Sequence, residues 1–129
     1  MATAGATKVK GVDAAYYYAK DLDRATKFYT DFLGFPPTLV YPGTVAEWTF
    51  AGDETFGLYQ PSDEGEWYEG HGMIFGVDDI ESAVADYKGR GIRFDDDPLI
   101  DESPVCFMAF GYDSEGNKFI LHQRKPQHT

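Results

Sequence analysis

Cysteine is almost missing from this chain, and with it two whole classes of small domain. Cys106 is the only one in 129 residues. An intrachain disulfide framework and a zinc site built of cysteines are therefore both excluded. Histidine is also scarce, with three residues, so few imidazoles are available for metal binding or acid–base work. No apolar run approaches the length of a membrane span, and the leading "MATAGATKVKG" has no apolar centre of the kind a signal peptide needs. The expectation is a cytoplasmic protein without a membrane partner. Positive charge is short as well. Eleven Lys and Arg stand against 22 Asp and Glu, for a formal net charge of -11. A phosphate backbone would be repelled, so no nucleic acid is expected as a partner. The acidic runs "SDEGEWYEG", "FDDDP" and "DESP" read as solvated loops that would also attract a cationic small molecule.

Aromatic residues, by contrast, are plentiful, with ten Phe and nine Tyr. The chain is long enough for one domain with a real core and too short for two independent ones, so residues 1–129 are expected as a single domain.

An internal repeat organises it. "AAYYYAKDLDRATKFY" (Ala14 to Tyr29) lies over "GMIFGVDDIESAVADY" (Gly72 to Tyr87), placing Leu22 on Ile80, Ala25 on Ala83 and Tyr29 on Tyr87. Each copy reads as an extended run, an acidic cap and a helix ending near a glycine, Gly34 or Gly91. The first helix is expected over Leu22 to Leu33, capped by Asp21, with Leu22, Ala25, Phe28, Tyr29 and Phe32 as its apolar stripe. The second is expected over Ile80 to Arg90, with Ile80, Ala83, Val84 and Tyr87. Extended segments follow each helix. They are "TLVYPG", "VAEWTF" and "TFGLYQ" in the first copy, and "IRFDDD", "VCFMAFGYD" and "KFILHQR" in the second. "AGDE" and "SEGN" supply the turns. The fold class is α+β. Two βαβββ units, residues 10–61 and 71–124, are joined by an acidic, aromatic linker at 62–70.

The motifs "AKDLDRATKFYTDFLGF", "GVDDIESAVADYKGRGIRF" and "DSEGNKFILHQ" resemble the vicinal oxygen chelate superfamily of glyoxalase I, bleomycin-resistance proteins and extradiol dioxygenases. The resemblance runs from about Val12 to Arg124. It implies a tandem βαβββ repeat forming a curled mixed sheet with a cleft, and homodimerisation. It also implies, in metal-dependent members, one ligand on the first and last strand of each unit. Those positions are Ala14, Gly57, Gly72 and Ile120 here. None can bind a metal through its side chain, so neither a metal nor any other cofactor is expected. A one-residue slip would swing His71 toward the cleft. It would still lack the three protein ligands usual in a catalytic site, with His122 and Glu47 the other donors to consider.

Strand alternation then assigns the cleft face. If Ala14 faces it, so do Tyr16 and Tyr18, with Gly57 and Tyr59 on the last strand of the first unit. Gly72, Ile74 and Gly76 follow in the second, with Ile120 and His122. Small residues thus leave room, and the tyrosines and His122 supply ring faces and hydrogen bonds. The expected ligand-binding set is Tyr16, Tyr18, Trp48, Tyr59, Ile74, Ile120 and His122. Parity leaves Trp48 open between pocket and core. A cation would be favoured by tyrosine faces and nearby carboxylates.

His122 is the one weak candidate for acid–base catalysis; its bland reading is a strand-end histidine bonded to backbone. Cys106, beside Phe107, Met108 and Phe110, reads as a buried apolar cysteine. It would need a base beside it to act as a nucleophile. Trp67 and Tyr68 in the linker fit either a lid or an oligomer contact. The sequence expectation is a metal-independent small-molecule binder of the bleomycin-resistance type, taking a cationic or aromatic compound. The alternative is a glyoxalase-like lyase, isomerase or dioxygenase with a metal or acid–base site outside the expected positions. A third reading is an accessory subunit with a vestigial cleft.

Overall fold

The computed structural model describes residues 8–126. The first unit contains β1 (Ala14–Tyr18), α1 (Leu22–Leu33), β2 (Leu39–Tyr41), β3 (Val45–Thr49) and β4 (Thr55–Tyr59). The second contains β5 (Met73–Gly76), α2 (Ile80–Gly89), β6 (Asp101–Glu102), β7 (Cys106–Tyr112) and β8 (Lys118–Arg124). A 3-10 turn at Glu64–Glu66 lies in the linker.

Each unit makes its own four-stranded mixed sheet, in the order β1-β4-β3-β2 and β5-β8-β7-β6. The first and last long strands of each unit run parallel, and the remaining pairs are antiparallel. The expected cleft walls therefore belong to two sheets and not to one continuous sheet. The segment "IRFDDD" departs from expectation. It forms only a single bridge, Phe94 to Gly111, and the edge strand β6 lies further on. Three consecutive aspartates and Pro98 explain this, since Asp is poor on a pleated surface and Pro cannot donate to a ladder.

Both helices begin where the acidic caps indicated. Asp21 accepts from Arg24 N and Asp79 from Ser82 N, each with extended backbone at the cap. Gly34 closes α1 with φ 87°, a left-handed conformation that suits glycine. α2 stops at Gly89, with Arg90 as its C-cap, one residue short of the expected end. A second cap is shared by the two units. Gln60 Oε1 accepts from Leu22 N at 2.7 Å, and Gln123 Oε1 accepts from Ile80 N at 2.8 Å.

The aromatic stripe of α1 packs against both sheets. Tyr29 meets Phe56 of the first sheet (ring centroids 4.7 Å), and Phe32 meets Phe119 of the second (4.7 Å). Phe75 stands between them, 5.3 Å from both Phe32 and Phe56. Tyr87 of α2 closes on Phe32 and donates its hydroxyl to Phe32 O at 2.6 Å. The two units thus share one core, rich in aromatic rings.

Candidate functional site

The three adjacent tyrosines of β1 do three different things. Tyr17 faces the helices and is 5% exposed. Its hydroxyl accepts from Met73 N (2.8 Å) and donates to Lys118 O (2.5 Å), so a phenol of the first unit sits at the opening of the β5/β8 ladder. Burial chiefly pushes this phenol up to about 12, with the Met73 N–H opposing. Tyr17 joins the units and is not a ligand contact.

Tyr16 and Tyr18 point the other way, onto the helix-free face of the first sheet. Strand register arranges that face in rows. Leu39, Glu47, Gly57 and Tyr16 lie side by side across the four strands, and Tyr41, Val45, Tyr59 and Tyr18 form the next row. The Tyr16 ring lies across Gly57. A Cβ added to Gly57 would stand 2.6 Å from the ring's Cζ. Only the absence of a side chain there lets the ring cross the strand, and beyond it the Tyr16 hydroxyl donates to Glu47. Burial, then the Glu47 hydrogen bond and charge, push this phenol up to about 12. Tyr16 is consequently a neutral donor throughout the physiological range.

Tyr18 and Tyr59 meet edge to face at 5.7 Å, a favoured arrangement of rings. The linker adds to this cluster. Tyr68 lies 6.0 Å from Tyr18, and the Trp67 indole donates to Tyr18 O at 3.3 Å while Lys20 Nζ stands 4.1 Å over its ring. Tyr68 remains 70% exposed. Both linker aromatics therefore belong beside the tyrosine face, an association the sequence left open.

The rest of the expected set is distributed differently. Trp48 is a correction. It is fully buried on the helix side with Tyr29 and Phe56, and its indole donates to Phe35 O at 3.0 Å. β3 register decides this, because Glu47, its neighbour, takes the open face. Ile74, Ile120 and His122 lie on the helix-free face of the second sheet. There the rows are Ile74, Ile120 and Phe110, then Gly76, His122, Met108 and Asp101. That face is mostly apolar. Its charged end holds Lys118, paired with Asp95 at 3.3 Å, and Arg93 over the Tyr112 ring at 3.7 Å. Ile74 also lines two clefts between the units, of about 420 and 250 Å³, with Phe50, Glu54 and Phe75. Cys106 is buried, 3.2 Å from the Ser103 hydroxyl.

Glu47 and Tyr41 went unassigned as ligand contacts from sequence. The signal for both was the turn "PGT" between β2 and β3. Register counted from that hairpin places Tyr41 opposite Val45 and Leu39 opposite Glu47.

A family profile described as the Glyoxalase/Bleomycin resistance protein/Dioxygenase superfamily matches residues 11–119. The chain belongs to this superfamily. Solved structures of similar fold include TnmS3, an antibiotic binding protein from Streptomyces sp. CB03234. It has 21% identity and a TM-score of 0.77, over 92% of this chain and 99% of that one. A lactoylglutathione lyase from Agrobacterium tumefaciens has 20% identity and a TM-score of 0.73, covering 91% and 96%. A glyoxalase / bleomycin resistance protein from Catenulispora acidiphila has 15% identity and a TM-score of 0.66, covering 85% and 95%. At these identities the likeness establishes the fold alone. No curated protein matches the chain.

The divalent metal used by some superfamily members does not fit the side chains present. Ala14, Gly57 and Ile120 carry no donor atom, and Gly72 precedes β5 with φ 97°. The space above Gly57 is filled by the Tyr16 ring. His71 is exposed, and among the described residues no three His, Cys, Asp or Glu side chains stand close enough to share an ion. Among those residues, too, no helix is long and apolar enough to cross a membrane.

Proposed function

We propose that this superfamily member is a metal-independent small-molecule binder that holds an aromatic compound on the tyrosine face of its first sheet. The observation that carries this is the Tyr16 ring lying over Gly57. A position where metal-dependent relatives would place a ligand side chain is here turned into ring surface. Tyr18, Tyr59 and Tyr68 extend that surface, and rings of this kind offer large contact area with hydroxyls for orientation. An antibiotic-binding role like that named for TnmS3 agrees with this lining better than a lyase or oxygenase role. The latter would need a Lewis acid or a positioned acid–base pair, and Gly76 and Met108, the strand neighbours of His122, supply no acid–base partner.

The reading extends to a cytoplasmic homodimer, a state that light scattering would test. It also excludes nucleic acid as a partner, on the strength of the net charge of -11.

The decisive experiment is thermal unfolding against a panel of aromatic compounds, with and without chelator, on protein whose metal content has been measured by plasma mass spectrometry. Stabilisation that is indifferent to chelator is expected. A stoichiometric divalent metal, or a binding response abolished by chelator, would overturn metal independence. A flat response to the whole panel would overturn the binding role.

A further inference from the structure

Glu47 is unlike the other acidic residues of this chain. It lies on an interior strand, in the middle of the tyrosine face, between Leu39 and Gly57 in register. It is half-buried, and the hydrogen bond recorded for its carboxylate comes from a neutral phenol, that of Tyr16. None of the ion pairs among the described residues involves it. A carboxylate offers about four acceptor positions, so one phenol leaves most of them unused. No Lys or Arg stands on either row of this face. The second sheet shows the contrast, since Lys118 is already neutralised there by Asp95.

We infer that Glu47 is the residue that selects ligands by charge. The tyrosine face takes a planar aromatic cation bearing N–H donors, an aryl guanidinium or aryl ammonium, with its N–H groups on Glu47 and its ring among Tyr16, Tyr18 and Tyr59. This rests on the binding role proposed above and adds the ligand class. Two features act together. The carboxylate accepts charge-assisted hydrogen bonds, which are stronger than neutral ones and directional. The flanking rings present faces that attract a cation and edges that frame it. Tyr16 is the positioning residue. Its hydroxyl, raised to about 12 by burial and by Glu47, stays protonated and fixes the carboxylate without cancelling its charge. Gly57 is what lets the ring reach it.

The test uses two probes of one shape, phenylguanidinium and the neutral phenylurea, titrated by NMR into the wild-type chain and three variants. Affinities in the millimolar range, roughly, are expected for fragments of this size. Wild type should prefer phenylguanidinium by about tenfold, the gap between charge-assisted and neutral hydrogen bonds. Glu47→Gln keeps the shape and an acceptor for Tyr16, and should bring the two probes to equal affinity. Glu81→Gln removes the same charge from the remote first turn of α2 and should leave the preference intact. Tyr59→Ala should weaken both probes. A preference that survives Glu47→Gln, or falls equally in Glu81→Gln, overturns the inference, and loss of both probes in Tyr59→Ala would still uphold the binding role. Equal binding of the two probes to wild type likewise overturns the charge selection alone. Binding of neither probe overturns the ligand class, while the binding role stands or falls on the aromatic panel.

Discussion

Gly57 and Ile120 occupy matching points on the last strands of the two units, and Gln60 and Gln123, three residues beyond each, cap α1 and α2 in the same way. Beyond this shared frame the copies diverge on both sides of their sheets. The open face of the first carries tyrosines around one carboxylate. That of the second carries Ile74, Ile120, Phe110, Met108 and His122, with Lys118 paired to Asp95 and Arg93 over Tyr112 at its charged end. The turns diverge too. Asp113 to Asn117 in the second unit reaches across to the first. Glu115 accepts from Lys20 N and Asp21 N at 2.9 Å and from Arg24 Nε at 2.7 Å, Asp113 accepts from the buried Tyr29 hydroxyl at 2.7 Å, and Asn117 donates to Tyr18 O. The hydrogen bonds of the corresponding turn in the first unit, Phe50 to Thr55, stay within its own hairpin. A duplicated unit has thus kept its frame while one copy specialised its face and the other its turn. The second unit supports the first, and the first presents the candidate site.

The sharpest way to separate support from site is a pair of identical substitutions. Gly70→Ala would place a Cβ 2.5 Å from the Tyr17 ring, and Gly57→Ala would place one 2.6 Å from the Tyr16 ring. Tyr17 is 5% exposed and bonded to Met73 N and Lys118 O, so it cannot yield, whereas Tyr16 is 39% exposed and can swing outward. Gly70→Ala should therefore cost about 3 kcal/mol, the upper end for overpacking, and Gly57→Ala about 1 kcal/mol. Urea unfolding measures both. Gly57→Ala should nonetheless weaken aromatic ligands, because it lifts Tyr16 away from Glu47. Equal destabilisation by the two substitutions would dissolve the distinction.

A smaller effect, on the order of 2 kcal/mol, is expected from Glu115→Ala, which strands two backbone N–H groups at the start of α1. The Arg24 pair adds little to that figure, since the Arg24 side chain is 53% exposed. Glu54→Ala, in the matching turn of the first unit, should change stability by less than about 0.5 kcal/mol. Chemical denaturation of the two variants checks the contrast.

The smallest expected effect is a matter of pH. Burial alone would raise the Glu115 carboxyl, but the hydrogen bonds from Arg24, the Asp21 amide and Ser114 outweigh it and hold the group below its ordinary value. Its contribution is then present above the unfolded value, about 4.3, and is lost as pH falls through the folded value. Asp113 runs the other way. Burial raises it despite the Tyr29 and Asn117 hydrogen bonds, so its contribution is present below the unfolded value, about 3.9, and is lost as pH rises through the folded one. Glu115→Gln should flatten the fall in urea midpoint between about pH 5 and pH 3. An unchanged acid limb would mean that this turn does not hold α1 through its charge.

The sequence by itself determined the repeat, both helices with their acidic caps, and most strands. Those follow from local causes: side-chain period, the acceptors before each helix, and glycines at turns. Alternation along β1 also put Tyr16 and Tyr18 on one face and Tyr17 on the other, and that Ala14, Gly57 and Ile120 carry no donor atom in their side chains needed only the residue identities. What local pattern could not reach was which strands meet, and how. Trp48 went to the core and Glu47 to the face because of hairpin register. "IRFDDD" gave up its strand to a single bridge. Trp67 and Tyr68 came to Tyr18 through a chain path that no periodicity encodes. Only the tertiary structure decided that Tyr16 crosses Gly57 to reach a carboxylate on the next strand but one. The physical reason is that such contacts depend on the register between strands, and register is a property of the assembled sheet, while propensity belongs to each segment alone.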